Sequence, residues 1–429
     1  MRIKLTNAQI LVNVYTPVFN GEVCIENGRI IYVGKDTYQG EFDRVIDCKN
    51  NLLMSSFCNA HSHAAMSLFR GIADDLPLDE WLFQQIFPLE AYLTPEDVYW
   101  GTMLQIAEFA KSGITAFADM YYYPESVYQA AKNANMAIAL CCGANSYSDY
   151  DVIQVIEKNY NFYHKKTDRV RYFPGLHAEY TCEEKLICKV ADFLAESGAK
   201  SYIHLAETLK EVGECTVRHN GLTPTQYLHK IGFFDNGGVA AHCVYVDKDD
   251  IALLKQSNIV PVINGASNLK LASGIAPVQA MLRQDLQLAI GTDGSASNNS
   301  TSIFKEMYLF SCLQKYSLKD AAAVPAEMAL QAGTQNGFEA LDFEAGQLII
   351  GNMADIILID CHAPNMQPLK NISKNIVYSA DTSNILMTIA GGKIVYEYGK
   401  YNIGEEIDTI YRKCNSIQER LQKQAKMDS

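Results

Sequence analysis

Eight short apolar runs recur along the middle of this chain, each separated from the next by a longer segment. They are Leu53 to His61, Thr115 to Met120, Ala137 to Gly143, Arg171 to His177, Ser201 to His204, Gly238 to His242, Ile259 to Asn264 and Leu288 to Asp293. Unbroken apolar runs of this length read as strands covered on both faces, since a half-exposed strand would alternate. The segments between them include Pro95 to Ser112, Ser126 to Asn135, Glu183 to Ser197 and Lys248 to Ser257, all with helical patterning. Eight strand–helix units over roughly 250 residues predict an α/β protein with a (β/α)₈ or TIM barrel. A doubly wound open sheet fits the same alternation and stands as the structural alternative.

The two chain ends have a different texture. Val23 to Glu26 and Arg29 to Val33 flank Asn27-Gly28, a two-residue hairpin signal. Ile385 to Ala390 and Lys393 to Glu397 flank Gly391-Gly392, and Ile356 to Asp360 precedes them. Neither end has enough strands to bury a face alone, so both are expected to join in one small β-sandwich domain. The predicted division is 1–53 and 341–404 for that domain, 54–340 for the barrel, and 405–429 for a C-terminal helix. In that helix Ile407, Ile410, Tyr411, Cys414, Ile417 and Leu421 fall at helical spacing.

Composition narrows the function. At 429 residues with 48% hydrophobic and 20% charged residues, the chain can build a large core. A net charge of −13 argues against nucleic acid, whose phosphates need a basic face. No apolar run approaches the ~20 residues that span a bilayer, and the N-terminus lacks a secretory apolar stretch. None of the 12 cysteines is spaced Cys-x-x-Cys, and several lie in apolar runs. They read as reduced, buried residues of a cytoplasmic enzyme acting on a small molecule.

Barrel active sites lie at the C-terminal ends of the strands, and these strands end in histidines. The first closes on His61-Ser62-His63, the fourth on His177, the fifth on His204, the sixth on His242, and the eighth on Asp293. Residues two apart in a strand face the same side, so His61 and His63 can address one point. Taken alone they could be core residues or a surface pair. With His204 and Asp293 they suit one divalent metal, zinc in the first instance, with iron or manganese accepted by the same ligands. Such a metal would acidify a bound water to hydroxide at neutral pH. Glu207, three residues after His204, could move a proton, although by itself it reads as a solvated loop charge. His242 could orient the water or hold substrate.

These residues resemble the amidohydrolase superfamily, above all its branch of S-adenosylhomocysteine and 5′-methylthioadenosine deaminases, which also contains triazine chlorohydrolases. The matching stretches are His61-Ser62-His63 with Arg70 to Leu78, His204 to Thr208, Ser267 to Pro277, and Gly291 to Asn299. The resemblance implies the metal ligands above, Glu207 as proton shuttle, and His242 and Asp293 acting on the water. It also implies that Trp81 packs on a nucleoside, that Glu90 bonds a ribose, and that His177 and Ser297 contact substrate. By chemistry alone Trp81 would be a core aromatic and Glu90 a helix-start charge.

Two departures bear on the substrate. Homocysteine-binding members hold the amino-acid carboxylate with arginine, whereas Asn145 to Val155 has none and carries Asp149 and Asp151. Glu179 stands where relatives often carry proline, and is expected to add an acceptor at the pocket mouth. The expected activity is therefore hydrolytic deamination of an adenosine-type nucleoside, 5′-methylthioadenosine or 5′-deoxyadenosine, by metal-bound hydroxide. The alternatives are a free nucleobase, a pterin or a chlorinated triazine as substrate, or a non-catalytic barrel scaffold. Barrels of this type often form homo-oligomers.

Overall fold

The computed structural model describes residues 1–77, 80–147 and 151–427; Leu78 and Asp149, named above, lie outside the described residues. All eight predicted runs form parallel strands, in two four-stranded sheets. The first holds Phe57–Ser62, Ile114–Asp119, Ala137–Cys141 and Val170–Phe173 in chain order. The second holds Ser201–Leu205, Gly238–His242, Ile259–Ile263 and Ala289–Ile290. Backbone hydrogen bonds join the sheets at both seams. Tyr202 N donates to Pro174 O at 3.1 Å, and Leu176 N to Tyr202 O at 3.2 Å. On the other side Thr292 N and Asp293 N both donate to His61 O, at 3.1 and 3.0 Å. The first seam needs glycine at 175, where a Cβ would stand 1.8 Å from Tyr202 O.

Alternate side chains of the parallel strands share one interior cluster. Cys58 and Ala60, Ala116 and Ala118, and Ala137, Ala139 and Cys141 meet Tyr202, Val239, Val262 and Ala289. Small residues on one face leave room for large ones opposite, as close packing demands. The outward side chains pack under helices. Pro95–Ser112 forms as predicted, started by a capping box in which Thr94 and Asp97 satisfy each other's backbone N–H. The helices Pro124–Asn133, Glu184–Ser197 and Lys248–Gln256 match their expected segments within two residues. The C-terminal helix Ile407–Met427 buries Ile410, Cys414, Ile417 and Leu421, and ties to the Pro95–Ser112 helix by Arg420 to Asp97, 2.5 Å. Among the described residues no helix is long and apolar enough to cross a membrane.

The structure corrects two expectations. The run Leu53 to His61 is not one strand but two. Leu52–Ser55 joins the chain-end sheet, and Phe57–Ser62 starts the parallel set. Ser56 is the switch, its N–H bonded to Asp355 O at 3.0 Å and its hydroxyl to Thr115 Oγ1 at 2.6 Å. Both strands are buried throughout, so no change of periodicity marks the break. The two layers expected of a sandwich are not separate sheets: the chain ends form a single hydrogen-bonded sheet of nine strands. Its register shifts at several bulges, which bend and twist strands locally. The Asn27-Gly28 turn has positive φ at both residues, 50° and 84°, as a type I′ hairpin requires.

One ion pair couples the chain-end sheet to the parallel set. Arg169 donates to both oxygens of Asp355, at 2.8 and 3.0 Å, with Asp355 almost fully buried. The same guanidinium reaches Asn135 O at 3.1 Å. Removing one partner of such a pair strands the other charge. Arg169→Ala is expected to lower stability by about 3–5 kcal/mol in urea unfolding. Adding Asp355→Asn should recover part of that loss; equal stabilities of wild type and Arg169→Ala would refute the coupling.

Candidate active site

His61 and His63 leave the first parallel strand on its inner side, both buried. His204 ends the fifth, His242 the sixth, and Asp293 follows the eighth. The orientation of each imidazole is fixed through its Nδ1. That of His63 meets Met120 O at 2.6 Å, and that of His204 meets His177 O at 2.8 Å. Carbonyls only accept, so both Nδ1 atoms carry the hydrogen. His61 Nδ1 lies 3.0 Å from the Tyr202 hydroxyl, which itself donates to Ala60 O at 2.6 Å and so accepts from His61. All three Nε2 atoms are left with bare lone pairs.

Those lone pairs converge. His204 Nε2 is 3.2 Å from His61 Nε2 and 3.3 Å from His63 Nε2. Asp293 Oδ1 is 3.5 and 3.2 Å from the same two nitrogens. Acceptors so close repel one another unless a positive charge stands among them. The separations suit ligand atoms each about 2.0–2.1 Å from a shared ion, the range of zinc–nitrogen and zinc–oxygen bonds. The donor set therefore fits a divalent metal. Burial opposes charge on Asp293, but its interactions with the His61 and His63 imidazoles, which a proton taken up on Nε2 makes attractive, outweigh it and hold its pKa well below the ordinary range. Burial likewise opposes charge on His63, yet Asp293 and the Met120 carbonyl push its pKa up to about 9. Asp293 and His63 thus hold a place for one positive charge, for which a proton and a metal ion compete. The other Asp293 oxygen accepts from Ser267 Oγ at 2.5 Å and Ser297 Oγ at 3.2 Å.

Beside this cluster lie two groups able to handle protons. His242 Nε2 is 3.8 Å from Glu207 Oε2, while its Nδ1 bonds Asn268 Oδ1 at 2.8 Å. Burial disfavours the His242 imidazolium, but Glu207 and Asp293 together raise its pKa. Glu207 Oε1 accepts from Ser273 Oγ at 3.0 Å. The backbone here is strained: Ala206, His242, Cys243 and Asp293 have φ of 50°, 74°, 48° and 61°. Left-handed conformations outside glycine cost on the order of 1–3 kcal/mol each and persist only where the surroundings impose them.

The cluster opens into a cavity of about 400 Å³. Trp81, Glu90 and His177 line it, with Leu82, Phe87, Tyr121, Cys142, Val152 and Val155 among the walls. Trp81 is buried with its Nε1 unpartnered. Glu90 Oε1 accepts from the Tyr121 hydroxyl at 2.6 Å, yet burial still pushes its pKa up to about 7. His177 Nδ1 meets Thr181 Oγ1 at 3.2 Å, and burial pushes its pKa down to about 4. Ser297 is placed differently. It is buried behind Asp293, bonded to Asp293 and Ser267, and is not part of the cavity wall.

Among the described lining residues none is Lys or Arg. Arg169 serves the ion pair above, and Arg171 bonds Asp342 O at 2.8 Å, so both act at the start of their strand. Asp151 caps the helix Val152–Tyr163, accepting from Ile153 N and Gln154 N. Glu179 does not reach the pocket mouth as an acceptor. It is buried against Arg218 at 2.5 Å and His219 at 2.9 Å, both contributed by the segment after Glu207.

Several residues that build the site carried no functional reading in the sequence. Tyr202 could have been found, since it lies two before His204 and so on the same strand face. Ser267, Asn268 and Ser273 sit in a stretch that stood out, but nothing there says which side chain turns inward. Glu211 is buried with both oxygens on backbone N–H groups, yet reads in sequence as a helix-start charge.

Residues 52–395 match the Amidohydrolase family. The chain is 40% identical over 385 residues to a 5-methylthioadenosine/S-adenosylhomocysteine deaminase of Thermoanaerobacter pseudethanolicus, covering 88% of this chain and 89% of that one. It is 38% identical over 414 residues to a 5'-deoxyadenosine deaminase of Methanobrevibacter smithii, covering 95% of each. Among solved structures it resembles a zinc-bound adenosine deaminase from Xanthomonas campestris, with a TM-score of 0.92, 26% identity and 98% of each chain covered. With a match over most of its length and relatives alike from end to end, the chain belongs to the amidohydrolase family.

Proposed function

We propose that this enzyme deaminates an adenosine-type nucleoside without a carboxylate, 5′-methylthioadenosine or 5′-deoxyadenosine. The chain is a metal-dependent hydrolase acting on C–N bonds, as its family and its deaminase-named relatives indicate. The observation that carries the substrate reading is the cavity itself. It brings the converging lone pairs and a buried carboxylate, Glu90, into one cavity in which no described lining residue is Lys or Arg. Glu90 can accept from the two hydroxyls of a ribose, which a free nucleobase, a pterin or a triazine lacks. A homocysteine carboxylate would lie there unpaired, which is costly.

His61, His63, His204 and Asp293 would hold one metal ion, zinc by donor type and spacing. A bound divalent cation supplies a water acidic enough to ionise near neutral pH. Glu207 takes a proton from the water and delivers it to the ring nitrogen next to the amino-bearing carbon. The water's oxygen adds to that carbon. Return of a proton to the amino group lets ammonia leave and a carbonyl form, which balances the hydrolysis. His242 steers the oxygen, with Glu207 and Asp293 favouring its charged form against burial. Trp81 packs on the nucleoside and offers its free N–H to it, and His177 lies against the same ligand. For Ser297 the reading changes from substrate contact to support of Asp293.

We infer also that the two parallel sheets close into a (β/α)₈ barrel. The hydrogen bonds across both seams support this. The expected division, 1–53 and 341–404 as the small domain, 54–340 as the barrel and 405–429 as the C-terminal helix, goes with it, except that Met54 and Ser55 stand with the small domain's sheet. A homo-oligomeric, cytoplasmic enzyme accords with this reading. All 12 cysteines are free thiols.

Glu207→Gln is expected to abolish ammonia release while the protein still binds one metal per chain by elemental analysis; sustained turnover would remove the shuttle role. On a substrate panel, 5′-methylthioadenosine and 5′-deoxyadenosine should be deaminated faster than S-adenosylhomocysteine, and activity on free bases alone would overturn the nucleoside reading. Glu90 gives a pH signature. Its carboxyl is pushed up to about 7 by burial and ionises as pH rises through that value. KM for a ribose-bearing substrate should fall over that rise, and Glu90→Gln should flatten the dependence and raise KM.

A further inference from the structure

The pose of Glu207 is imposed from two sides, by Glu211 and Ser273. On one side is Glu211, buried at the first turn of the helix Leu209–Arg218. One of its oxygens accepts from Ala206 N and the other from Glu207 N, each at 2.7 Å. A carboxylate that bridges two successive backbone N–H groups fixes the peptide between them. That peptide follows Ala206, whose φ of 50° is left-handed, so the loop would relax without an anchor. The second anchor comes from a different loop. Ser273, 4% exposed, lies beyond the seventh parallel strand and donates to Glu207 Oε1 at 3.0 Å. With Oε1 occupied, Oε2 is the oxygen that faces His242, 3.8 Å away.

We propose that Glu211 and Ser273 are the positioning residues of the proton shuttle: Glu211 fixes the main chain of Glu207, and Ser273 engages Oε1 so that Oε2 carries the proton. Neither touches the converging nitrogens, so both act through Glu207. The inference rests on the shuttle role of Glu207 proposed above. A hydroxyl donating to one oxygen lowers the basicity of that oxygen and leaves the other free to exchange a proton. Glutamine at 211 keeps the size but turns an N–H₂ towards a backbone N–H, so one of the two bonds becomes a donor–donor clash.

The test compares Glu211→Gln, Ser273→Ala and Ser273→Thr with Glu207→Gln, using metal-loaded full-length enzyme and 5′-deoxyadenosine or whichever nucleoside the panel selects. Glu211→Gln is expected to lower kcat by about 10- to 100-fold, the usual effect of losing an outer support. Ser273→Ala should lower it by about tenfold, the effect of one hydrogen bond to a charged group, and Ser273→Thr, which keeps the hydroxyl, should restore most of it. KM and the metal bound per chain should stay within about twofold, because the substrate pocket and ligands keep their own partners. Wild-type kcat in Ser273→Ala and Glu211→Gln with Glu207→Gln inactive would overturn this inference alone. Sustained turnover in Glu207→Gln would overturn the shuttle reading beneath it. Were Glu211→Gln to fold poorly, the Ser273 pair decides by itself.

Discussion

Three hydrogen bonds donated by Nδ1 atoms decide what this active site can be. A histidine becomes a ligand when its proton is fixed on one nitrogen and its lone pair on the other. Here the fixing groups belong to the strands themselves. Met120 O follows the second parallel strand, His177 O follows the fourth, and Tyr202 lies within the fifth. Strand order thus sets the tautomers, and the tautomers set the convergence of three bare nitrogens on Asp293. The arrangement would be self-repelling in a protein with no cation to place there. A fold that uses its own backbone carbonyls to impose that repulsion is built around a metal ion, and the hydrolytic chemistry follows from it.

The surrounding shell is held by buried acids used as anchors. Glu211 ties the loop after the fifth strand by two backbone N–H groups. Glu306 does the same after the seventh, accepting from Ala266 N at 3.1 Å and from Asn298 Nδ2 at 2.8 Å. Burial pushes both carboxyls up to about 7. A buried carboxyl with its oxygens committed to neighbouring N–H groups costs desolvation energy but gives directional bonds that a loop of small residues cannot supply. The left-handed residue Ala206 sits in a loop so restrained, and left-handed Asp293 lies five residues before Asn298, which Glu306 holds. Strain at the site and anchors around it are two sides of one requirement: side chains from separate strands must meet within a few tenths of an ångström.

The parts legible in the sequence were those with a period or a spacing. Eight apolar runs gave the eight parallel strands, and the His-x-His pair, His204, His242 and Asp293 came together because strand ends and inner faces follow from a period of two. Asn27-Gly28 gave its hairpin because only a few residues tolerate positive φ there. What stayed hidden has no period. Ser56 divides an apolar run between two sheets by two hydrogen bonds from distant segments. Glu179 looked like a pocket acceptor, but its partners Arg218 and His219 lie about forty positions on, at separations of 39 and 40 residues. Ser297 sits four residues from Asp293 and bonds it, outside the cavity wall. Long-range polar partners decide where such side chains turn, and sequence spacing does not encode them.

The cavity's selectivity follows from the same accounting of charge. Its reactive end attracts a positive ion, and Glu90 lines the same cavity beside the Tyr121 phenol. Between them lie aliphatic and aromatic walls with no cationic side chain among the described residues. A neutral heterocycle with a diol brings no unpaired charge into such a cavity, whose walls include Val152 and Val155. A carboxylate in that position would have to shed its water without a partner, at a cost of several kcal/mol. Arg169 and Arg171 cannot supply one, because the first is committed to Asp355 and the second to Asp342 O. In the segment before the helix Val152–Tyr163 this chain has Asn145, which lines the cavity, and Asp151, which caps that helix. Discrimination between substrates of one ring chemistry is thereby assigned to a wall rather than to the catalytic groups. That lets the wall vary while the site stays fixed.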